Sequence, residues 1–339
     1  MHAILEDDEV RLLKSLGHNV CCLGINGKIT QAQDFRLPIK WNDDENAFFD
    51  AFDILGGKFC VGGNIDDFII PADFIRIFDC VVVMHDIIFI KKFWDVLSER
   101  PVFWRTIGQG MQDFELIARP LRAAGLFIIR YSPTEKLIPD YLGEDAIIRF
   151  CKSPNCHSNW TGADGYILTF SNLYYQRYPE DYCDYINIID GMPARLGGYG
   201  NDQFSRSIGL LTPNDQLEAY RGARAYLYAS GLGIPYTLNF IEAWMVGIPT
   251  VVYAPNERVG PYFEIDKIIE HGIDGYVCRT IQDTRQTLNR LLNDTAMAQR
   301  IGSSGRARAI ELFSAEGAAQ LWQKALSDGV RNAKNSVES

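Results

Sequence analysis

The strongest constraint in this chain is a series of short apolar runs that do not alternate with polar residues. Asp79 to Met84, Pro101 to Trp104 and Leu126 to Tyr131 form one group. Tyr166 to Phe170, Ala194 to Leu196, Ala225 to Ala229, Thr250 to Tyr253 and Gly275 to Cys278 form a second. A strand with water on one face must alternate. A run without alternation is buried on both faces, which happens in parallel sheets covered by helices above and below. The stretches between the runs have helical spacing. Ile4, Leu5, Val10, Leu12, Leu13 and Leu16 make an apolar stripe, and Gly17 stops it in the position that favours a left-handed residue. Asn19 to Leu23 then reads as a strand. The strand expected before this first helix is missing or reduced to Met1 to Ile4. The fold class is therefore α/β with doubly wound sheets.

A length of 339 residues exceeds what one core usually serves. Around Cys151 to Asp164 the pattern turns polar and loses its period, so a domain junction is expected there. This gives an N-terminal Rossmann-like domain over 1–155, a second over 156–318, and a C-terminal helix and tail over 319–339. Helices are expected over Tyr182 to Ile189, Pro213 to Arg221, Phe240 to Val246, Asp283 to Leu292 and Thr295 to Leu312, with Trp322 on the last.

Composition excludes several function classes. A net charge of −10 argues against nucleic acid or an anionic membrane as a general partner. No apolar run approaches the roughly 20 residues that span a bilayer. The acidic start (Glu6, Asp7, Asp8, Glu9) is unlike a signal peptide, so a cytoplasmic protein is expected. Ile87 to Phe93 with Lys91 and Lys92 reads as a helix lying on the sheet with its lysines in water. Peripheral membrane contact is the lesser alternative. The cysteines are scattered. Cys151, Cys156, His157 and Cys183 have loose spacing for a metal, and ordinary thiols are the better reading.

In open parallel sheets, ligands sit beyond the carboxyl ends of the strands. Three such ends in the first half are His85-Asp86, the segment from Arg105 to Gly110, and Ser132-Pro133. Asp86 and Arg105, with Asp7 on the first helix, are candidates for the acceptor side. His85 is a candidate base, with Asp7, Asp8 and Asp86 as alternatives.

The segment Tyr236 to Pro249 carries the most chemistry. A polar loop enters a helix near Thr237 or Leu238, whose first N–H groups and dipole favour an anion such as a diphosphate. Glu242, one turn in, has the chemistry to accept hydrogen bonds from ribose hydroxyls. Alone it reads better as an ordinary solvated helix residue. Gly247 ends the helix and Pro249 opens the next strand.

Glu242-Ala243 followed by Gly247-Ile248-Pro249-Thr250-Val251 resembles the donor-binding signature of GT-B glycosyltransferases of the group 1, retaining, glycogen-synthase-like type. The flanks agree. Gly198-Tyr199-Gly200 stands where that family has Gly-x-Gly after a strand. Ile269 to Tyr276 resembles its glycine turn. Ile301 to Arg306, with Phe313 and Ser314, resembles its tail. The likeness covers roughly residues 165 to 325; the first half shares only the αβ rhythm.

The resemblance implies two Rossmann-like domains facing across a cleft and transfer of a hexose from a nucleotide sugar of unknown base to an unknown acceptor. It implies a retaining, metal-independent reaction with no cofactor beyond the co-substrate. Tyr236, Thr237, Leu238, Asn239 and Glu242 would hold the donor with Ser171, Asn172, Gly198 and Tyr199. Arg177 and the helix start up to Asn239 would stabilise the leaving phosphate. Two positions depart from the family. Ile234 replaces the first of its paired glutamates, and Ser171-Asn172 replaces its Gly-Arg, with Arg177 in place of its lysine. Two rival readings remain. One is a catalytically degenerate sugar-nucleotide-binding or scaffold protein, favoured by Ile234 and Asn172. The other is a sugar-nucleotide epimerase on the same fold.

Overall fold

The computed structural model describes residues 3–23, 39–58, 65–107 and 112–337 of the chain. Met1, Cys60 and residues Gly108 to Gly110 lie outside the described residues. The chain forms two compact units, one of residues 1–150 and 318–339 and the other of residues 151–317.

The first unit contains α1 (Ala3–Ser15), α2 (Asp43–Ile54), α3 (Ala72–Ile75), β1 (Val81–Met84), α4 (Ile87–Leu97), β2 (Val102–Arg105), α5 (Gln112–Ala123), β3 (Phe127–Arg130) and β4 (Ala146–Ile147). Its strands pair in parallel in the order β1-β2-β3-β4, with Val83 opposite Trp104 and Trp104 opposite Ile128. The wholly apolar runs become β1, β2 and β3. Ile87, Ile90, Ala118 and Leu121 on α4 and α5 pack on this sheet.

Asn19 to Leu23 does not join the sheet as a strand among the described residues. Its backbone is engaged otherwise. The Val20 N–H donates to the Glu45 carboxylate (3.1 Å), which also closes the capping box of α2 with Asn42 and pairs with Lys14. A donor held by a side chain is lost to a ladder. Ala3 and Ile4 are helical rather than a leading strand.

The second unit contains β5 (Ile167–Phe170), α6 (Tyr174–Arg177), α7 (Pro179–Ile189), β6 (Ala194–Gly197), β7 (Ser207–Gly209), α8 (Pro213–Gly222), β8 (Ala225–Tyr228), α9 (Leu238–Val246), β9 (Thr250–Tyr253), α10 (Ile265–Ile268), β10 (Tyr276–Cys278), α11 (Ile281–Asn293) and α12 (Thr295–Phe313). A last helix, α13 (Ala315–Val337), begins here and continues in the first unit from Ala318. All strands are parallel, in the order β10-β9-β8-β5-β6-β7. The winding therefore reverses between β5 and β8. A reversal leaves a crevice at the carboxyl ends of those two strands, where loops diverge to opposite faces.

The helix after β8 is fixed by backbone proximity. A Cβ on Gly302 of α12 would stand 3.2 Å from the Gly247 carbonyl carbon, and one on Gly305 would stand 2.6 Å from Asp274 O. Only glycine allows α12 this close to the end of α9. Trp244 of α9, wholly buried, donates its indole N–H to Asp274 O (2.9 Å). The helix that borders the crevice is thus held from behind.

Candidate functional site

The crevice is built from three segments: the end of β5, the end of β6 and the start of α9. Thr237 is the N-cap of α9. Its hydroxyl accepts from the Phe240 N–H (3.4 Å), its own backbone is extended, and Gly247 ends the helix in the left-handed region at φ 95°. Among the described residues the N–H groups of Leu238 and Asn239 have no protein acceptor. These are two of the orphan donors that every helix start presents, here half-buried at the switch point.

Side-chain amides lace the segments together. Asn239 Nδ2 donates to Phe170 O (3.4 Å), tying α9 to the end of β5. Asn172 Oδ1 accepts from the Tyr199 N–H (2.9 Å), and Leu173 N–H donates to Tyr199 O (2.7 Å), tying β5 to β6. Asn201 Nδ2 bonds Ser171 O (2.6 Å) and Gly198 O (3.0 Å) while its Oδ1 accepts from Tyr174 N–H (3.0 Å). Gly198 has φ 115°, a conformation that suits glycine, and a Cβ there would meet the Ser171 backbone. Ser171, Asn172, Gly198, Tyr199, Thr237, Leu238 and Asn239 are therefore brought together.

Arg177 ends α6. It is exposed, lies over the Tyr178 ring (5.1 Å), and donates to Tyr178 Oη (3.2 Å). Among the described residues it has no carboxylate partner, so its charge is available to an anion. Arg258, past the end of β9, is by contrast neutralised by Asp181 (2.9 Å) and Asp184. Burial lifts Asp181 to about 6 even though Arg258 opposes the shift.

Glu242 is 9% exposed and does not face solvent as a lone carboxylate. Oε1 pairs with Lys152 Nζ (2.9 Å). Oε2 accepts from Gln216 Nε2 (2.7 Å) and Tyr220 Oη (3.3 Å). Burial pushes this carboxyl up, but Lys152 and His157 outweigh it and hold it below its usual value.

Several expected contacts take other roles. Tyr236 is 2% exposed and packs edge-on to Phe313 (5.2 Å), so its ring serves the core rather than a ligand. Arg105 is fully buried. Its Nε donates to Glu9 (2.8 Å), and it stacks on Phe150 (4.9 Å) and Trp322 (5.7 Å). A sealed guanidinium cannot meet an acceptor. Asp7 is also buried and pairs with Arg11 one turn on (3.0 Å). Asp86 is exposed and caps α4 through the Phe89 N–H (2.9 Å). His85, in the first unit, follows β1 with φ 68°, and its Nδ1 lies 3.2 Å from Ile107 O. The left-handed backbone at a strand end is a strained placement for a histidine.

Asn201, Lys152, Gln216 and Tyr220 do not stand out in the sequence. Asn201 adjoins the Gly-Tyr-Gly turn, which is the one local signal any of them carries. Among the described residues no group of histidine, cysteine and acidic side chains is arranged to hold a metal, and Cys151, Cys156, His157 and Cys183 do not assemble. Among the same residues no helix is long and apolar enough to cross a membrane.

No protein-family model and no curated protein matches the sequence. Solved structures do match. A glycosyltransferase from Rickettsia africae ESF-5 matches with a TM-score of 0.65 over 96% of this chain and 95% of that one, at 11% identity. HepE of Anabaena, solved in complex with UDP-glucose, matches with a TM-score of 0.59 over 76% of this chain and 81% of its own, at 15% identity. The sucrose-phosphate synthase of Thermosynechococcus elongatus gives 0.58 over 74% of each chain, at 14% identity. At such identities the likeness establishes the fold, and the fold is GT-B, with two Rossmann-like parallel sheets.

Proposed function

We propose that this chain is a glycosyltransferase that takes a hexose from a nucleotide-sugar donor bound in the second unit. The observation that carries the reading is the pair of N–H groups at Leu238 and Asn239, without acceptors among the described residues, set at the switch point between β5 and β8. A diphosphate fits such a helix start, and Arg177 adds a guanidinium with no carboxylate of its own among the described residues. HepE, solved with UDP-glucose, supports the donor class.

In the transfer, the bond from the anomeric carbon to the phosphate oxygen breaks and its electron pair leaves with the diphosphate. The helix start and Arg177 stabilise that charge as it develops. A hydroxyl oxygen of the acceptor bonds the anomeric carbon. In the retaining course its proton passes to the departing phosphate oxygen, so the chain need supply no base. A second reading, donor binding without turnover, is favoured by Ile234 in place of a carboxylate.

The test is a melting-temperature screen with nucleotide sugars of each base. One series should raise the midpoint by about 5 °C near saturation, because a ligand of the folded state alone must stabilise it. No shift with any donor overturns the donor site. A shift without sugar transfer to any acceptor selects the second reading.

A further inference from the structure

Nothing on α9 itself fixes the charge or direction of Glu242. The helix residues around it, Phe240, Ile241, Ala243, Trp244, Met245 and Val246, are all apolar and buried. The groups that bind the carboxylate come from elsewhere: Gln216 and Tyr220 from α8, and Lys152 from the first residues of the second unit. Lys152 is itself locked by its backbone. Its N–H donates to Phe313 O (2.9 Å) and its carbonyl accepts from Ala315 N–H (3.1 Å), a short parallel bridge to Ser314. The Phe313 ring in turn lies edge-on to Phe240 and Trp244 of α9. The ammonium therefore reaches Glu242 from a segment packed against Glu242's own helix.

We propose that Lys152 is a positioning residue for the nucleotide, holding Glu242 as an ionised and correctly aimed acceptor for the vicinal hydroxyls of the donor ribose. This role rests on the function proposed above. The geometry leaves room for it. Oε2 already has two donors, but among the described residues Oε1 has Lys152 alone, and a carboxylate oxygen accepts two hydrogen bonds. The groups facing Glu242 are Lys152, His157, Gln216 and Tyr220, with Tyr226 further off and Arg221 acting on His157. Burial holds His157 below its usual value, whereas the Lys152 ammonium pairs directly with Oε1 at 2.9 Å. Without it, burial would drive the Glu242 carboxyl upward into the working range.

The experiment measures affinity for the nucleoside diphosphate that the wild type binds and for its 2′-deoxy counterpart, from about pH 5 to about pH 8. The wild type should prefer the ribose form by about tenfold at every pH, as expected for a lost hydrogen bond to a charged group. Lys152→Met should shrink the preference below about twofold, and its affinity should fall as the pH drops and Glu242 takes up a proton. Lys152→Arg, which keeps the cation, should keep the preference. A purely structural lysine would change stability without changing the ribose preference. If Lys152→Met does not fold, Lys152→Gln, which keeps a donor without the charge, must show the same loss.

A Met or Gln variant with an intact preference and a flat profile overturns the proposal. So does a wild type whose own preference vanishes between about pH 6 and about pH 5, since Lys152 would then not hold the carboxylate ionised. A wild type that binds no nucleoside diphosphate overturns the function itself, which separates the two failures.

Discussion

Glu242→Ala lowers the stability of the second unit by about 3–5 kcal/mol, in addition to weakening the nucleotide. The reason lies in what remains. Lys152 is 7% exposed, and truncation removes the carboxylate that its buried ammonium pairs with. Gln216 and Tyr220 also lose their acceptor. Removing one member of a buried pair costs far more than the pair contributes, because the survivor keeps its desolvation penalty. For a unit of this size the melting midpoint should fall by about 10 °C. Urea unfolding checks the figure. A loss below about 1 kcal/mol would mean that Lys152 and Glu242 are not paired in solution. Glu242→Ala is consequently a poor control for ligand binding. Glu242→Gln keeps the shape and one acceptor oxygen, so it is the variant for affinity work.

Gly198→Ala is expected to cost about 3 kcal/mol and to reduce nucleotide affinity more than tenfold. A Cβ there would lie 2.8 Å from the Ser171 carbonyl carbon and 2.9 Å from Asn172 Oδ1, and φ is 115°. The obstacle is the backbone of the neighbouring strand end, which cannot rotate away as a side chain can. Relief requires β5 and β6 to separate at their carboxyl ends. That would break the bonds from Asn201 to Ser171 O and from Tyr199 N–H to Asn172 that shape the crevice floor. Gly200→Ala is the comparison. Its φ of 73° is also left-handed, but the added methyl meets the tip of the Leu173 side chain, which can move. Denaturation and nucleotide titration of both variants should show the larger loss at 198. Equal losses would mean that the β5–β6 contact does not shape the site.

Much of the fold was legible because parallel strands buried on both faces write themselves as unbroken apolar runs. Val102 to Trp104 and Thr250 to Tyr253 are such stretches, and Val81 to Met84 has the same apolar run although it is only half-buried. β7 was not legible: Ser207–Gly209 is a half-buried edge strand with no apolar run. Asn19 to Leu23 misled because its composition suits a strand, whereas a side chain of α2 holds its backbone. The start of α9 was legible since cap, helix and glycine stop are local. Lys152 and Gln216 were not, since they reach Glu242 only through the folded chain. Arg105 and Tyr236 show the converse limit. Sequence placed them at a strand end and a loop, where ligands bind, but their burial depends on Glu9, Trp322 and Phe313 far along the chain.

The decisive measurement is a crystal structure of the protein with the nucleoside diphosphate sugar selected by the melting screen. Phosphate oxygens are expected within about 3 Å of the Leu238 and Asn239 N–H groups, with the Arg177 guanidinium turned toward them. A diphosphate bound away from the start of α9 would contradict the donor site, whatever sugar the protein proved to transfer.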